Sequence, residues 1–252
     1  MFRLGNITFL IVENDEEIKK GIHKLRYKIY VEEFGFEKKE DHPNGYESDI
    51  YDPHSLHFAA ISDDTGEVIA TMRIILNSEA GLPVTNIEDV SFVGEKEVLD
   101  KIVEVSRFAV DARYRRRKED ILFKGVSVNK NQFERRLVER DTPDRRKRPI
   151  VVYGLLRLLY HATKRLGLTH WSIVSEKHLY NALTTMGLIF HPIGREGYYH
   201  GIRTPYIAFV DEMEEYWIEK RQDFILFLAQ GLEEEYWPKS EIFGKLMKEF
   251  SL

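Results

Sequence analysis

The run Val103-Glu104-Val105-Ser106-Arg107-Phe108-Ala109-Val110 sets an acid and a base inside an otherwise apolar segment. Valine, phenylalanine and alanine in this density suit a half-buried, pleated surface, so the run predicts a β-strand. A carboxylate and a guanidinium on such a strand are costly to desolvate unless they pair or take part in chemistry. The pattern recurs upstream, where Arg73 lies inside Val68-Ile69-Ala70-Thr71-Met72-Arg73-Ile74-Ile75-Leu76. Any fold for this chain must therefore accommodate charges on core strands.

The elements around these strands alternate in type. Ile7 to Val12 reads as a first strand. Asn14, three residues before Glu17, resembles a capping box and opens a helix reaching about Phe34, with Ile22, Arg26 and Tyr30 stacked on one face. Residues 35–53 are polar with a Pro43-Asn44-Gly45 turn signal, and are expected to form a loop. Phe58 to Ile61 and Val68 to Leu76 flank Asp63-Asp64-Thr65-Gly66 as a β-hairpin. A short helix is expected near Glu95 to Lys101, and some helical character between Asn131 and Arg140. Pro149 opens an apolar helix that Gly167 ends, His170 to Ser175 is a strand, and Glu176 to Met186 is a helix. Leu188 to Ile193 and Tyr206 to Val210 read as a last pair of strands, followed by amphipathic helices. This order predicts an α/β fold with a mixed, mostly antiparallel sheet flanked by helices. The expected organisation is a domain over 1–210, with a basic insertion at 113–148, and a helical extension over 211–252.

Charge is unevenly distributed. Residues 113–148 hold 14 Lys and Arg against 6 Asp and Glu, an excess of eight positive charges. With a net charge of −5 overall, the remainder carries −13. Such a segment suits an anionic partner, or is a solvated loop. Nucleic acid is the weaker match, because the arginines lack interleaved aromatics and the whole chain is acidic. The chain has no cysteine, which excludes disulfides, thiolate metal sites and cysteine nucleophiles and fits a reducing cytoplasm. It has no stretch of about 20 apolar residues to span a membrane, and its start lacks a secretory signal's apolar core, so a cytoplasmic protein is expected. His54 and His57 are the one histidine pair close enough to suggest a metal, and they lack convincing further ligands.

The motifs carry a resemblance. Arg26 and Tyr30, Phe34 or Phe36, Asp49-Ile50-Tyr51-Asp52, Arg73 and Glu104-Val105-Ser106-Arg107-Phe108 occur in the order found in acyl-homoserine-lactone synthases of the GNAT acyltransferase superfamily. Glu176-Lys177-His178-Leu179 before Gly187, and Gly201-Ile202-Arg203-Thr204-Pro205-Tyr206, more closely resemble the N-acyl amino acid synthases and the exosortase-system-associated acyltransferases. Together these cover roughly residues 20–210. The segment from Val110 through Arg113, Arg115, Arg116 and Arg117 resembles the GNAT phosphate-binding stretch without its glycines.

The resemblance implies a GNAT-like fold and an N-acyltransferase. The donor would be a fatty acyl thioester, long-chain in the favoured case, on acyl carrier protein phosphopantetheine or coenzyme A, with no permanently bound cofactor. The acceptor would be the amine of an amino acid or a similar small molecule. Glu104, Arg107 and Phe108 would be catalytic, with Glu104 the base. Arg26, Tyr30, Phe34, Phe36, Asp49, Asp52 and Arg73 would bind acceptor substrate. Val110, Arg113, Arg115, Arg116 and Arg117 would meet the donor's phosphates. A V-shaped opening between strands would receive the pantetheine arm and an apolar tunnel the acyl chain. Two other assignments are compatible with these residues: a lactone synthase using S-adenosylmethionine, and a non-catalytic acyl- or carrier-protein-binding module.

Two expectations are geometric. Residues 104 and 107 point to opposite faces of a regular strand. The resemblance therefore implies a β-bulge near Ser106 to Ala109 that brings both to one side. Arg26, Asp49, Asp52, Arg73 and Arg107 are expected to form an ionic cluster ordering loop 35–53. The plainer alternatives are that Glu104 merely pairs with an arginine and that the cluster is purely structural.

Overall fold

The computed structural model describes residues 1–87, 90, 100–114, 148–198 and 201–251. Eight strands form one sheet: β1 (Phe2–Leu4), β2 (Ile7–Val12), β3 (Ser55–Ser62), β4 (Val68–Leu76), β5 (Ile102–Val110), β6 (His170–Ser175), β9 (Ile202–Phe209) and β7 (His191–Pro192), in that spatial order. The short β8 (Gly197–Tyr198) pairs with the start of β9. Every pairing is antiparallel except β5 with β6. The sheet is thus mixed and mostly antiparallel, as the sequence predicts.

That parallel pairing decides where a site can form. β5 and β6 are in register only over Ile102–Glu104 and His170–Ser172. Beyond Glu104, β5 continues along β4 to Val110, while β6 continues to Ser175 along β9. The two central strands part company at Glu104, which leaves a V-shaped opening between them.

Helix α1 (Glu16–Arg26) is capped by Asp15, whose carboxylate accepts from the Glu17 and Ile18 amides at 3.1 and 3.0 Å. Asn14 was the expected cap. Asp15 takes that place because its own backbone is extended, which aims its carboxylate at those amides. The expected helix to Phe34 changes character at Tyr27, where a π-helical segment runs to Glu33. Wide turns of this kind are uncommon and recur at functional sites. Here the segment carries Tyr30.

Helix α2 (Arg148–Arg165), with Pro149 as its second residue, lies across the sheet and is buried along most of its length. Gly154 permits this, since a Cβ there would stand 2.2 Å from the Phe9 ring. Gly167, at φ +66°, closes the helix C-terminus. Helix α3 (Lys177–Thr185) follows β6. The expected strand over Leu188–Ile193 is only His191–Pro192. Leu188 and Phe190 turn into the core instead, and Pro192 and Pro205 each lack the amide a longer ladder needs.

Helices α4 (Val210–Lys220), α5 (Gln222–Ala229) and α6 (Glu241–Ser251) complete the chain. One apolar core runs from Leu4 through α2 to Trp217, Phe224, Phe243 and Met247. Arg157 and His161 of α2 bind the Gln230 and Leu228 carbonyls at the end of α5. Packing is therefore continuous across residue 210. The helices expected near Glu95 to Lys101 and between Asn131 and Arg140 fall on residues outside those described, apart from a turn at Asp100 and Lys101. No helix among the described residues is long and apolar enough to cross a membrane.

Candidate active site

The β4–β5 ladder slips once. Thr71 faces Ala109 and Arg73 faces Ser106, so Met72 alone stands against Arg107 and Phe108. This is the bulge expected at that place. At its centre Arg107 has φ +49°, the only non-glycine at positive φ among the described residues. That backbone costs an L-residue about 1–2 kcal/mol. Opposing ion pairs and a tyrosine offset it.

Arg107 gives its Nη2 to Glu37 at 2.8 Å and its Nε to Glu47 at 3.1 Å, with Asp49 at 3.2 Å. Its guanidinium lies 5.3 Å from the centre of the Tyr30 ring, and the Tyr30 hydroxyl donates to the Phe108 carbonyl at 2.9 Å. The π-helical segment thus grips both residues of the bulge. Arg107 reaches the same carboxylates as Arg26 and Arg73, so the slip does bring it to the side of Glu104 and Ser106.

The remaining cluster is dense. Arg26, fully buried, binds Glu47 and holds Asp52 in a two-point bond at 2.6 and 3.1 Å. Arg73 holds Asp49 in another at 2.7 and 2.6 Å, reaches Asp52, and donates Nε to Ser106 at 3.0 Å. Every predicted member is present. Glu47 and Glu37 complete the cluster and were missed from the sequence; the signal for Glu47 was its place two residues before Asp49 among loop acids. Burial pushes the Asp52, Asp49 and Glu47 carboxyls up in pKa, but the neighbouring guanidiniums more than reverse this and hold all three below the usual carboxylate range.

Glu104 is different. It is buried, faces Ile75 on β4 and Ser172 on β6, and sits at the point of the V. Its Oε2 accepts from the Val84 amide at 2.7 Å. Among the described residues it has no ion-pair partner within 4.0 Å, so the plain pairing alternative does not hold there. Burial drives its pKa up to about 8, against the lowering pull of Val84, Arg73 and Arg107.

Phe34 and Phe36 stack at 5.3 Å, and Arg203 of β9 lies 5.2 Å from the centre of Phe36. Arg203 also comes within 3.6 Å of Glu176, so the two C-terminal motifs meet beside the aromatic pair. Val110 is buried in the core beside Ala70. Arg113 is half exposed and bound to Asp111 and Glu67, so carboxylates already occupy the guanidinium expected to meet phosphate. Arg115, Arg116 and Arg117 lie outside the described residues. His57 stays neutral, its pKa lowered to about 4 chiefly by burial, and no group of metal-holding side chains occurs among the described residues.

A bulged strand beside a V-shaped break in a mixed sheet defines the GNAT acyltransferase fold, and the comparisons agree. Residues 25–123 match the family model described as the acetyltransferase (GNAT) domain. Among solved structures, a CoA-dependent acyl-homoserine lactone synthase, BjaI, with SAM and isopentyl-CoA, superposes with a TM-score of 0.57. It is 15% identical, over 95% of this chain and 97% of that one. The AHL synthase LasI gives 0.52 at 17% identity, over 81% and 90% of the two chains. The CoA-dependent synthase MesI gives 0.52 at 19%, over 86% and 95%. At these identities the likeness is one of fold. No curated protein matches the chain in sequence.

Proposed function

We infer that this chain is an N-acyltransferase, moving a fatty acyl group from an acyl carrier protein or coenzyme A thioester to the amine of an amino acid or similar small molecule. The observation that carries the reading is Glu104: a buried carboxyl without an ion-pair partner among the described residues, at the break between β5 and β6. The break would admit the pantetheine arm. Partly buried Val105, Phe108, Tyr180 and Leu183 offer apolar surface to an acyl chain on the core side of the sheet. The ionic cluster fixes the acceptor loop on the other side.

An incoming ammonium gives one proton to Glu104 in its ionised form, the minority form at pH 7. In a dry site the neutral acid and amine are favoured over the charged pair, which leaves a lone pair on nitrogen. That nitrogen attacks the thioester carbon, the C–N bond forms and the C–S bond breaks. The nitrogen's surplus proton goes to the departing thiolate. Val105 to Phe108 at the bulge supply backbone dipoles beside the reacting carbonyl. The basic segment 113–148, read from sequence, would suit the acidic surface of a carrier protein.

Structural similarity to one acyl-homoserine lactone synthase solved with SAM supports a second reading, lactone formation from S-adenosylmethionine. Mass spectrometry of products from long-chain acyl carrier protein or acyl-CoA with a panel of amines separates the two. An acylated amino acid formed without S-adenosylmethionine supports the first reading, and lactone formed only with it supports the second. Carrier-protein binding without product from any amine would make the chain a binding module and overturn both.

A further inference from the structure

Glu104 is anchored by a segment that none of the motifs includes. The 3-10 turn Pro83–Asn86 packs Leu82 and Val84 with Ile75, Ile102 and Ile207 under the sheet face that bears Glu104. Proline at its first position presets the backbone, and the Thr85 hydroxyl donates back to the Leu82 carbonyl at 2.6 Å. The Val84 amide, which a short turn leaves without a helical acceptor, points at Glu104 Oε2.

The far end of the turn is tied to the acid loop. Asn86 Nδ2 donates to the Tyr51 hydroxyl at 3.0 Å. The Tyr51 amide in turn donates to Asp49 Oδ1 at 2.9 Å, and Asp49 is held by Arg73, which donates to Ser106. Ser106 stands two residues from Glu104 on the same strand face. The contacts close a ring from Glu104 through Val84, Asn86, Tyr51, Asp49, Arg73 and Ser106 back to β5.

Resting on the acyltransfer reading, we propose that Val84, Asn86 and Tyr51 are positioning residues for Glu104. The Val84 amide fixes Oε2 and leaves Oε1 as the oxygen that takes the acceptor's proton. The Tyr51–Asn86 bond makes this orientation depend on the acid loop being seated. The loop that holds the acceptor would thereby also set the base. Besides the uncharged Val84 amide, Glu104 feels the charges of Arg73 of β4 and Arg107 of β5, which favour its ionised form, and of Asp49 of the loop, which opposes it. Ser172, facing it from β6, carries no charge and donates to the Val103 carbonyl.

The test reads Glu104 directly. Difference infrared spectra between the protein and its Glu104→Gln variant isolate one carboxyl band, whose disappearance with rising pH gives the midpoint without any substrate. An amide bond to the carboxylate favours the ion, so loosening it raises the midpoint. Tyr51→Phe and Asn86→Ala should each raise it by roughly half a pH unit, and the double variant by no more than either alone, because they share one bond. Val84→Pro, which removes the amide itself, should raise it by about one unit. Circular dichroism shows which variants are folded; should Val84→Pro not fold, the Tyr51 and Asn86 variants decide the matter. In turnover, the two should lower kcat at pH 7 about threefold, as that midpoint shift requires, with the KM for the acyl donor unmoved. Midpoints unchanged in folded variants would overturn the proposal whether or not any amine is acylated. Absence of acyl transfer with a shifted midpoint would instead overturn the function and leave the positioning intact.

Discussion

Asp52 and Glu104 are both buried carboxyls on the same side of the sheet, and they end in opposite states. Asp52 lies between Arg26 and Arg73, accepts the Asp49 amide at 2.7 Å, and is held ionised. Glu104, two residues along β5 from Ser106 and its bond to Arg73, has one amide and an apolar surround, and is held largely neutral at pH 7. Burial acts on both in the same direction. What separates them is whether a guanidinium is bonded directly, because an opposite charge in contact outweighs desolvation and one further off does not. In the proposed reading the cluster is architecture, and the carboxyl beside it is the group that exchanges a proton.

The largest expected effect tests the chemical half of this contrast. Glu104→Gln keeps the shape and the acceptor for the Val84 amide but cannot take a proton. Turnover should fall by about 10²–10⁴-fold, with acyl-donor binding retained. Unchanged turnover, measured on the product identified by mass spectrometry, would remove Glu104 from the reaction. The architectural half is tested by Arg26→Met, which leaves Glu47 and Asp52 short of a buried partner. Unfolding in urea at pH 7 should show a loss of about 3–5 kcal/mol. The sign with pH follows from the depressed Asp52 and Glu47: their stabilisation exists above the unfolded carboxylate range and is lost as pH falls through the folded values. The gap between the two proteins should therefore narrow in acid, below about pH 4. A gap independent of pH would mean that lost packing, not lost pairing, destabilises the variant.

Much of this contrast was legible in the residues. Strands β4 and β5, the cluster of Arg26, Asp49, Asp52, Arg73 and Arg107, and the bulge at Arg107 all lie where the charged positions on apolar strands and the family resemblance placed them. What escaped depends on the chain's return path. The Val84 amide has no side-chain signature, and it meets Glu104 only because the segment after β4 folds under the sheet. Glu47 and Glu37 were two acids among many in a polar loop, and only the arginines of other elements single them out. The π-helical turn was hidden because its residues have ordinary helical spacing. Tyr30 is drawn to the Phe108 carbonyl, a tertiary contact that periodicity cannot register.

The most discriminating test reads the Glu104 environment through stability alone. The folded protein holds Glu104 protonated up to about pH 8, whereas the unfolded chain loses that proton near the ordinary value of 4.5. Between these limits the folded state binds the extra proton, so raising the pH favours unfolding, by up to about 1.4 kcal/mol for each pH unit crossed. A glutamine at position 104 has no proton to lose. Glu104→Gln should therefore gain melting temperature relative to the parent as pH rises from 5 to 8, and gain nothing further above the folded value. The Asp52 type of environment gives the opposite sign, since a carboxylate held ionised adds its stability above pH 4 and its loss would appear as a deficit across the same window. A Glu104→Gln difference that is flat or negative from pH 5 to 8 would place Glu104 among the paired carboxylates and end its separation from the cluster.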